Sequence, residues 1–351
     1  MNYRYLGRSG LLVSRICLGT MNFGMKDWGC DKQVSSKIIG EFIESGGNFI
    51  DTADVYSDGI SEEMLGIALR DHQRDDLVIA TKSWFRMGDS PNSKGLSRKN
   101  ILEAFENRIR RLKTDYIDLY QVHGPDWFTP MEETMRALDD LVRQGKVRYI
   151  GCSNYYGWQI VKANAIAEHY GLERFISGQH LYNIVRRDIE REILPACEDQ
   201  GLGLLCWSPL ASGFLSGRYE RNQAPPEGSR ISYRKNIDIP RYFSDAAFDV
   251  VDELKIISNE TNKNLTQLSL AWLLYDQRVT SVIIGPRTVE QLNDSLHVSE
   301  WNLSPEQHER LANASNFSQG YPMEWVDSSY ANISGIEEFS PGHFRHPMDR
   351  N

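Results

Sequence analysis

The sequence has no run of about 18 apolar residues, the length that crosses a bilayer, and its N-terminal segment MNYRYLGRSG has no apolar signal core. A cytoplasmic protein without a membrane-spanning segment is therefore expected. A basic balance is missing as well: the net charge is -9, spread along the chain, so nucleic acid is not an expected partner. The basic cluster Arg108, Arg110, Arg111 and Lys113 shares its helical stretch with Glu103 and Glu106 and reads as a solvated face. The five cysteines (Cys17, Cys30, Cys152, Cys197, Cys206) are an odd set with no CxxC pair, which points away from a disulfide framework and toward a reducing compartment. The eight histidines show no HxH or HExxH spacing, so no metal site is expected. No glycine-rich dinucleotide fingerprint follows the first strand, and Gly201-Leu202-Gly203 is too short to serve as one.

What is present is alternation. Short apolar runs at Ile16 to Leu18, Asn48 to Asp51, Leu77 to Thr81, Ile117 to Val122, Val147 to Cys152, Phe175 to Gln179, Gly203 to Trp207 and Val279 to Ile284 are separated by amphipathic helical stretches. This is the βαβα pattern of a parallel sheet, and eight such units close a (β/α)8 TIM barrel. Composition agrees, with 40% hydrophobic and 25% charged residues, enough to bury a large core. No repeat or linker divides the chain, so 1–351 is expected to be a single domain, with an ordered core over about 3–317 and an irregular tail over 318–351 that is weakly ordered from Ser340.

Helix signals fall between the strands. Thr129-Pro130-Met131-Glu132 predicts a capping box with proline at the first helical position, and Ser304-Pro305-Glu306-Gln307 repeats it. Two helical patterns, Ala246 to Ser258 and Thr266 to Tyr275, precede the last strand. Gly213 to Phe243 is rich in Gly, Pro, Ser and Arg without periodicity, and so long a loop is expected to bind or cover something.

The strand ends carry the chemistry. Asp51 closes the second run and Tyr56 follows five residues later; Lys82 closes the third run and His123 the fourth. The intervals of 31 and 41 residues each fit one βα unit. All four groups therefore emerge at the same end of successive strands, where barrel enzymes place their active sites.

DTADVY, ATK and QVH resemble the Asp, Tyr, Lys, His tetrad motifs of the aldo-keto reductases. Further matches are GCSN at Gly151 to Asn154, Gln179 with Tyr182 and Asn183, WSPLASGFLSGRY from Trp207, and IIGPRTVEQ from Ile283, so that the resemblance spans about Tyr3 to Phe317. It implies a barrel closed below by an N-terminal β-hairpin around Arg8-Ser9-Gly10, with extra helices, a C-terminal loop and NADPH/NADP+ as cofactor. It also implies reduction of an aldehyde or ketone, with Asp51, Tyr56, Lys82 and His123 catalytic.

Carbonyl reduction needs a proton donor, and free tyrosine, with a pKa of about 10, is a weak one. An ammonium roughly 4 Å away at an effective dielectric of about 20 contributes about 4 kcal/mol, or around three pKa units, before desolvation opposes it. On this reasoning Lys82 brings Tyr56 near neutrality, Asp51 holds the ammonium, and His123 orients the carbonyl. Thr52 and Asp54 read as loop-capping residues.

Cofactor positions carry over where residues match. Ser153, Asn154 and Gln179 resemble the groups that hold the nicotinamide carboxamide, and Trp207 the ring against its face. Ser208, Leu210 and Ser212 match the pyrophosphate segment, with Arg218 and Arg230 as cationic contacts. Thr20, Met21 and Gly285 also fall at cofactor positions. Arg287, beside a helix N-terminus, matches a 2'-phosphate contact. Gln291 has two readings, the third residue of a Thr288 capping box and a contact to the adenosine phosphate or ribose. Asp294 would accept from the adenine amino group, although Ser295 stands where the family usually has Asn.

Trp28, Trp84, Phe85, Trp127 and Phe128 could wall a substrate pocket for a small carbonyl or alcohol, closed by the tail near Tyr321 and Trp325. The potassium-channel β subunits share much of this pattern, including GLSRK at Gly95 and TPMEET at Thr129, which leaves an NADPH-binding regulatory subunit as the alternative. His123 favours an enzyme, since those subunits depart from histidine there. A homo-oligomer is compatible with everything above.

Overall fold

The computed structural model describes residues 1–315 and 317–334. Among the described residues ten strands form two sheets. β1 (Tyr3–Tyr5) and β2 (Leu12–Ser14) make an antiparallel hairpin. β3 (Ile16–Gly19), β4 (Phe49–Asp51), β5 (Val78–Ser83), β6 (Ile117–Val122), β7 (Val147–Ser153), β8 (Phe175–Leu181), β9 (Gly203–Trp207) and β10 (Val279–Ile284) close a parallel barrel. β10 completes the ring by pairing with β3, Ile284 opposite Leu18. The expected (β/α)8 barrel is thus the fold, with every strand within about two residues of its sequence signal.

Because side chains alternate along a strand, the barrel sorts its apolar residues into two layers. Cys17, Phe49, Val78, Ala80, Leu119, Leu205 and Ile283 pack with Leu6 and Val13 in a cluster of their own. Their strand neighbours Ile16, Leu18, Ile50, Ile79 and Leu204 belong to the larger cluster shared with the surrounding helices. The first set fills the bore, and buried Leu6 plugs its base from the hairpin. Gly7 makes the plug possible: its φ is +58°, and a Cβ there would lie 2.4 Å from the Gly201 carbonyl oxygen. The hairpin is pinned at that spot by Arg8 N donating to Gly201 O at 2.9 Å.

Several local expectations are corrected. The Thr129 capping box does not form; the helix runs Met131–Arg143 from an N-cap at Pro130, and the Thr129 hydroxyl donates instead to Asp126 Oδ2 at 2.7 Å. The Asp126 carboxylate also accepts the N–H groups of Leu96 and Phe128, and this cluster of charge-assisted bonds holds Thr129 in the loop one residue ahead of the N-cap. The Ser304 box does form, with Gln307. The segment 213–243 is not a plain loop, since it carries the short helices Arg230–Tyr233 and Lys235–Tyr242. Helices Asp245–Thr261 and Leu265–Tyr275 follow it, as the periodicity indicates.

The tail is not irregular throughout either. A helix runs Met323–Ser334, and its entry is fixed from outside: the Arg191 guanidinium donates to the carbonyls of Ser318 and Gln319 at 2.8 and 3.2 Å. Gly320 N donates to Glu324 in the first turn at 3.1 Å. Tyr321 and Trp325 stay exposed, at 86% and 62%, so neither ring packs over the barrel. The expected loss of order from Ser340 lies outside the described residues. Among the described residues no helix is long and apolar enough to cross a membrane.

Candidate active site

The strand register brings the tetrad together. Asp51 ends β4, Lys82 lies near the end of β5 opposite Gln121 of β6, and His123 follows β6 directly. Lys82 Nζ donates to Asp51 Oδ1 at 2.5 Å, to the Thr52 carbonyl at 2.8 Å and to Tyr56 Oη at 3.2 Å. Those three bonds use every proton an ammonium has, and the lysine side chain is wholly inaccessible to solvent. Asp51 Oδ2 in turn accepts from Gln179 Nε2 at 2.8 Å and Gln121 Nε2 at 3.2 Å.

Tyr56 opens a turn of 3-10 helix (Tyr56–Gly59) in which Ser57 and Asp58 are left-handed, at φ 50° and 54°. Such residues cost of order 1–3 kcal/mol each. Ser57 Oγ offsets part of that by donating to the Phe23 carbonyl at 2.9 Å. The turn tips the phenol back over the lysine, whose Nζ is 5.0 Å from the ring centroid. The His123 imidazole meets the Tyr56 ring edge-on, with centroids 6.0 Å apart, and the Phe85 ring at 5.0 Å.

Charge states follow from these surroundings. Burial opposes the Lys82 ammonium, but Asp51 and Tyr56 together outweigh it and its pKa moves up. Burial pushes the Tyr56 phenol up, and Lys82 offsets this only in part. Tyr56 is therefore not drawn toward neutrality as the Coulomb argument expects, because the desolvation that strengthens the lysine's field also penalises the phenolate. Burial, with Lys82 and Arg108 adding their charges, drives His123 well below the ordinary histidine range, so its ring is a neutral imidazole. Its Nδ1 is buried with no hydrogen-bond partner among the described residues.

The basic helix is the largest departure from the sequence reading. In Arg98–Leu112, Arg108 is fully buried and ion-paired with Asp54, and Arg111 pairs with buried Glu62 at 2.6 Å. Two of the four cations therefore face inward behind the tetrad rather than solvent.

The expected cofactor residues fall into three groups. At the mouth, Ser153 Oγ donates to the Gln179 carbonyl at 2.9 Å, Asn154 Nδ2 to the His123 carbonyl at 2.9 Å, and Trp207 Nε1 to Asn154 Oδ1 at 3.2 Å. Thr20, whose hydroxyl pairs with Ser61 at 2.8 Å, and Met21 follow β3 at the same end. After β9 the backbone is left-handed at Ser208, Ala211, Ser212, Gly213 and Gly217, around Leu210. Ser208 Oγ is held there by Tyr242 Oη at 3.1 Å. Arg218 is nearby but exposed, bonded to Ser216.

The third group follows β10. Past Gly285, Arg287 N donates to Gln291 Oε1 at 2.9 Å and Gln291 N to Thr288 Oγ1 at 3.2 Å, so the capping reading of Gln291 holds, displaced by one residue at its return bond. Asp294 Oδ1 already accepts from Asn264 and Gln267, at 2.6 and 3.0 Å. Among the substrate candidates, Trp28 is buried, with the Arg230 guanidinium 4.9 Å above its ring. Trp84 donates to the Pro125 carbonyl at 3.1 Å and stacks edge-on with Phe85. Trp127 is 66% exposed and leans on Tyr156 and Trp158, a rim position rather than a pocket wall.

These residues suit a bound dinucleotide. Arg230 Nε is buried with no hydrogen-bond partner among the described residues, and burial, reinforced by Arg234, pulls its pKa down to about 10. That is a buried guanidinium with a free donor, beside a run of left-handed backbone of the kind that forms anion-binding concavities. The family model for aldo/keto reductases matches residues 15–316.

The chain belongs to the aldo/keto reductase family.

Among this aldo/keto reductase's relatives, the uncharacterized oxidoreductase YrpG of Bacillus subtilis is 39% identical over 316 residues, covering 87% of this chain and 93% of the relative. A probable voltage-gated potassium channel β subunit of Oryza sativa is 37% identical over 301 residues, covering 84% and 90%. The versiconal hemiacetal acetate reductase of Aspergillus parasiticus is 34% identical over 339 residues, covering 89% and 96%. Sequence reasoning missed Gln121 and Arg108. Gln121 was findable, since it lies two residues before His123 and hence on the same face of the strand.

Proposed function

We propose that this aldo/keto reductase is an NADPH-dependent oxidoreductase that reduces an aldehyde or ketone to an alcohol, with Tyr56 as the proton donor. The observation that carries the reading is the buried ammonium of Lys82, held between Asp51 and the Tyr56 hydroxyl. NADPH, when bound, supplies the hydride to the carbonyl carbon. Tyr56 Oη gives its proton to the carbonyl oxygen, and the phenolate left behind is stabilised by Lys82. Because that charge exists only as the proton leaves, the ammonium favours the transition state over the ground state. A phenol whose pKa is raised by burial stays protonated at neutral pH, ready to donate. The neutral His123 ring offers one N–H to orient the carbonyl oxygen.

Ser153, Asn154, Gln179 and Trp207 are the groups for the nicotinamide end. The left-handed segment at Ser208 to Ser212 with Arg218 and Arg230 serves the pyrophosphate, and Arg287 the 2'-phosphate. Trp28, Trp84 and Phe85 offer apolar walls for the carbonyl compound, and the relative named as a reductase supports the reducing direction. Five free, buried thiols support a cytoplasmic setting.

The test is loss of NADPH absorbance on adding a panel of aldehydes and ketones. Turnover that needs both substrate and cofactor supports the reading. Tight NADPH binding with no turnover on any carbonyl would favour a binding protein like the channel β subunits.

A further inference from the structure

We infer that Arg108, paired with Asp54, is a positioning residue that fixes the distance between the Lys82 ammonium and the Tyr56 hydroxyl, an inference that rests on the proton-donor reading of Tyr56. One guanidinium ties two chain segments together. Its Nε and Nη2 donate to the Lys82 carbonyl at 3.1 and 2.6 Å. The same Nη2 meets Asp54 Oδ2, and Asp54 Oδ1 accepts from Val55 N at 2.8 Å. Asp54 and Val55 lead directly into Tyr56. The cation therefore grips the backbone of the lysine on one side and the turn that carries the phenol on the other.

A second acid braces the first pair. Glu62 accepts from Thr81 Oγ1 at 2.6 Å and from Arg111 Nε at 2.6 Å, and lies 3.9 Å from Arg108 Nε. The residue before Lys82 is thereby held by the same layer. Stability alone is a weak reason to bury these charges, since apolar replacements of buried ion pairs are often neutral or stabilising. Fixing a geometry is a better reason, and the geometry here is the 3.2 Å separation of Lys82 Nζ and Tyr56 Oη.

The charged and titratable groups facing that hydroxyl are Lys82, Asp51, Arg230 and the neutral ring of His123. Lys82 is the one that Arg108 anchors. At an effective dielectric of about 20, withdrawing the ammonium by about 1 Å from its 3.2 Å position weakens its pull by roughly a quarter, or about one pH unit on the phenol. With less opposition to burial, the Tyr56 pKa rises, so the alkaline limb of carbonyl reduction moves up while the plateau falls.

The experiment compares wild type with Arg108→Met, Arg108→Lys, Asp54→Asn and the double variant Asp54→Asn/Arg108→Met. Melting temperature, NADPH affinity, KM, and kcat against pH are measured in each. Arg108→Met and Asp54→Asn should lower kcat by about 10-fold or more, move the alkaline limb up by roughly one pH unit, and leave KM and NADPH affinity within about twofold. The double variant should recover melting temperature, because no charge is left unpaired, without recovering kcat or the limb. Arg108→Lys should recover melting in part and likewise leave the limb displaced.

Should Arg108→Met not fold, Asp54→Asn, which keeps the side-chain shape, carries the same readings. Wild-type kcat and limb in the folded variants, or recovery of kcat together with melting in the double variant, would reduce the pair to a structural role. A Tyr56→Phe protein that keeps near-wild-type carbonyl turnover would instead defeat the proton-donor reading, and this inference with it.

Discussion

Lys82 Nζ sits 2.5 Å from Asp51 Oδ1 with neither side chain open to solvent, so each charge depends on the other to remain a charge. Removing one partner of a buried pair strands the other, at a cost of about 3–5 kcal/mol. Asp51→Asn should therefore destabilise the barrel by that order and lose turnover, because the ammonium, no longer supported against burial, sheds its proton more readily. Urea denaturation checks the first effect. If the double variant Asp51→Asn/Lys82→Met proved no more stable than Asp51→Asn alone, the stranded-charge explanation would fail.

His180, in β8, is buried with Nε2 lacking a partner among the described residues, and burial lowers its pKa from 6.5 to about 3. The unfolded chain binds a proton near pH 6.5 that the folded one refuses until about pH 3, so stability falls with pH across that window. At pH 5 the loss is about 2 kcal/mol relative to pH 7.5. His180→Gln, which cannot titrate, should show a flatter stability profile between those pH values by about that amount. An unchanged slope would mean that other groups set the acid sensitivity.

Arg287, with its main-chain N–H held by Gln291 and its guanidinium 3.4 Å from the Trp28 carbonyl, stands just before the N-cap of helix Val289–Leu296. If it binds the 2'-phosphate, losing a charge-assisted hydrogen bond of about 1.5–3 kcal/mol should weaken NADPH by roughly 10- to 150-fold in Arg287→Ala. NADH should change little. Fluorescence titration of both cofactors decides the point, since equal weakening would assign Arg287 to the fold or the pyrophosphate.

The barrel was legible because strands and helices have different apolar periods, and each strand of the ring keeps its own clean run. The tetrad was legible because Asp51, Lys82 and His123 close consecutive runs. The helices at Arg230–Tyr233 and Lys235–Tyr242 escaped because four and eight residues, the second containing Pro240, are too few to show a period. Arg108 was misread from its charge. Ile101, Phe105 and Leu112 are buried on one face of its helix, and position 108 falls on that same stripe. A cation at an apolar position is a signal for a buried partner, and Asp54 is that partner.

The central claim is that Tyr56 gives up the proton, and the most direct measurement is single-turnover NADPH oxidation by Tyr56→Phe beside wild type, with NADPH affinity measured on the same preparations. The ring and its packing remain, so affinity should stay within about twofold while the chemical step slows by a factor of at least ~100. A Tyr56→Phe protein that reduces the carbonyl at near the wild-type rate would contradict the account.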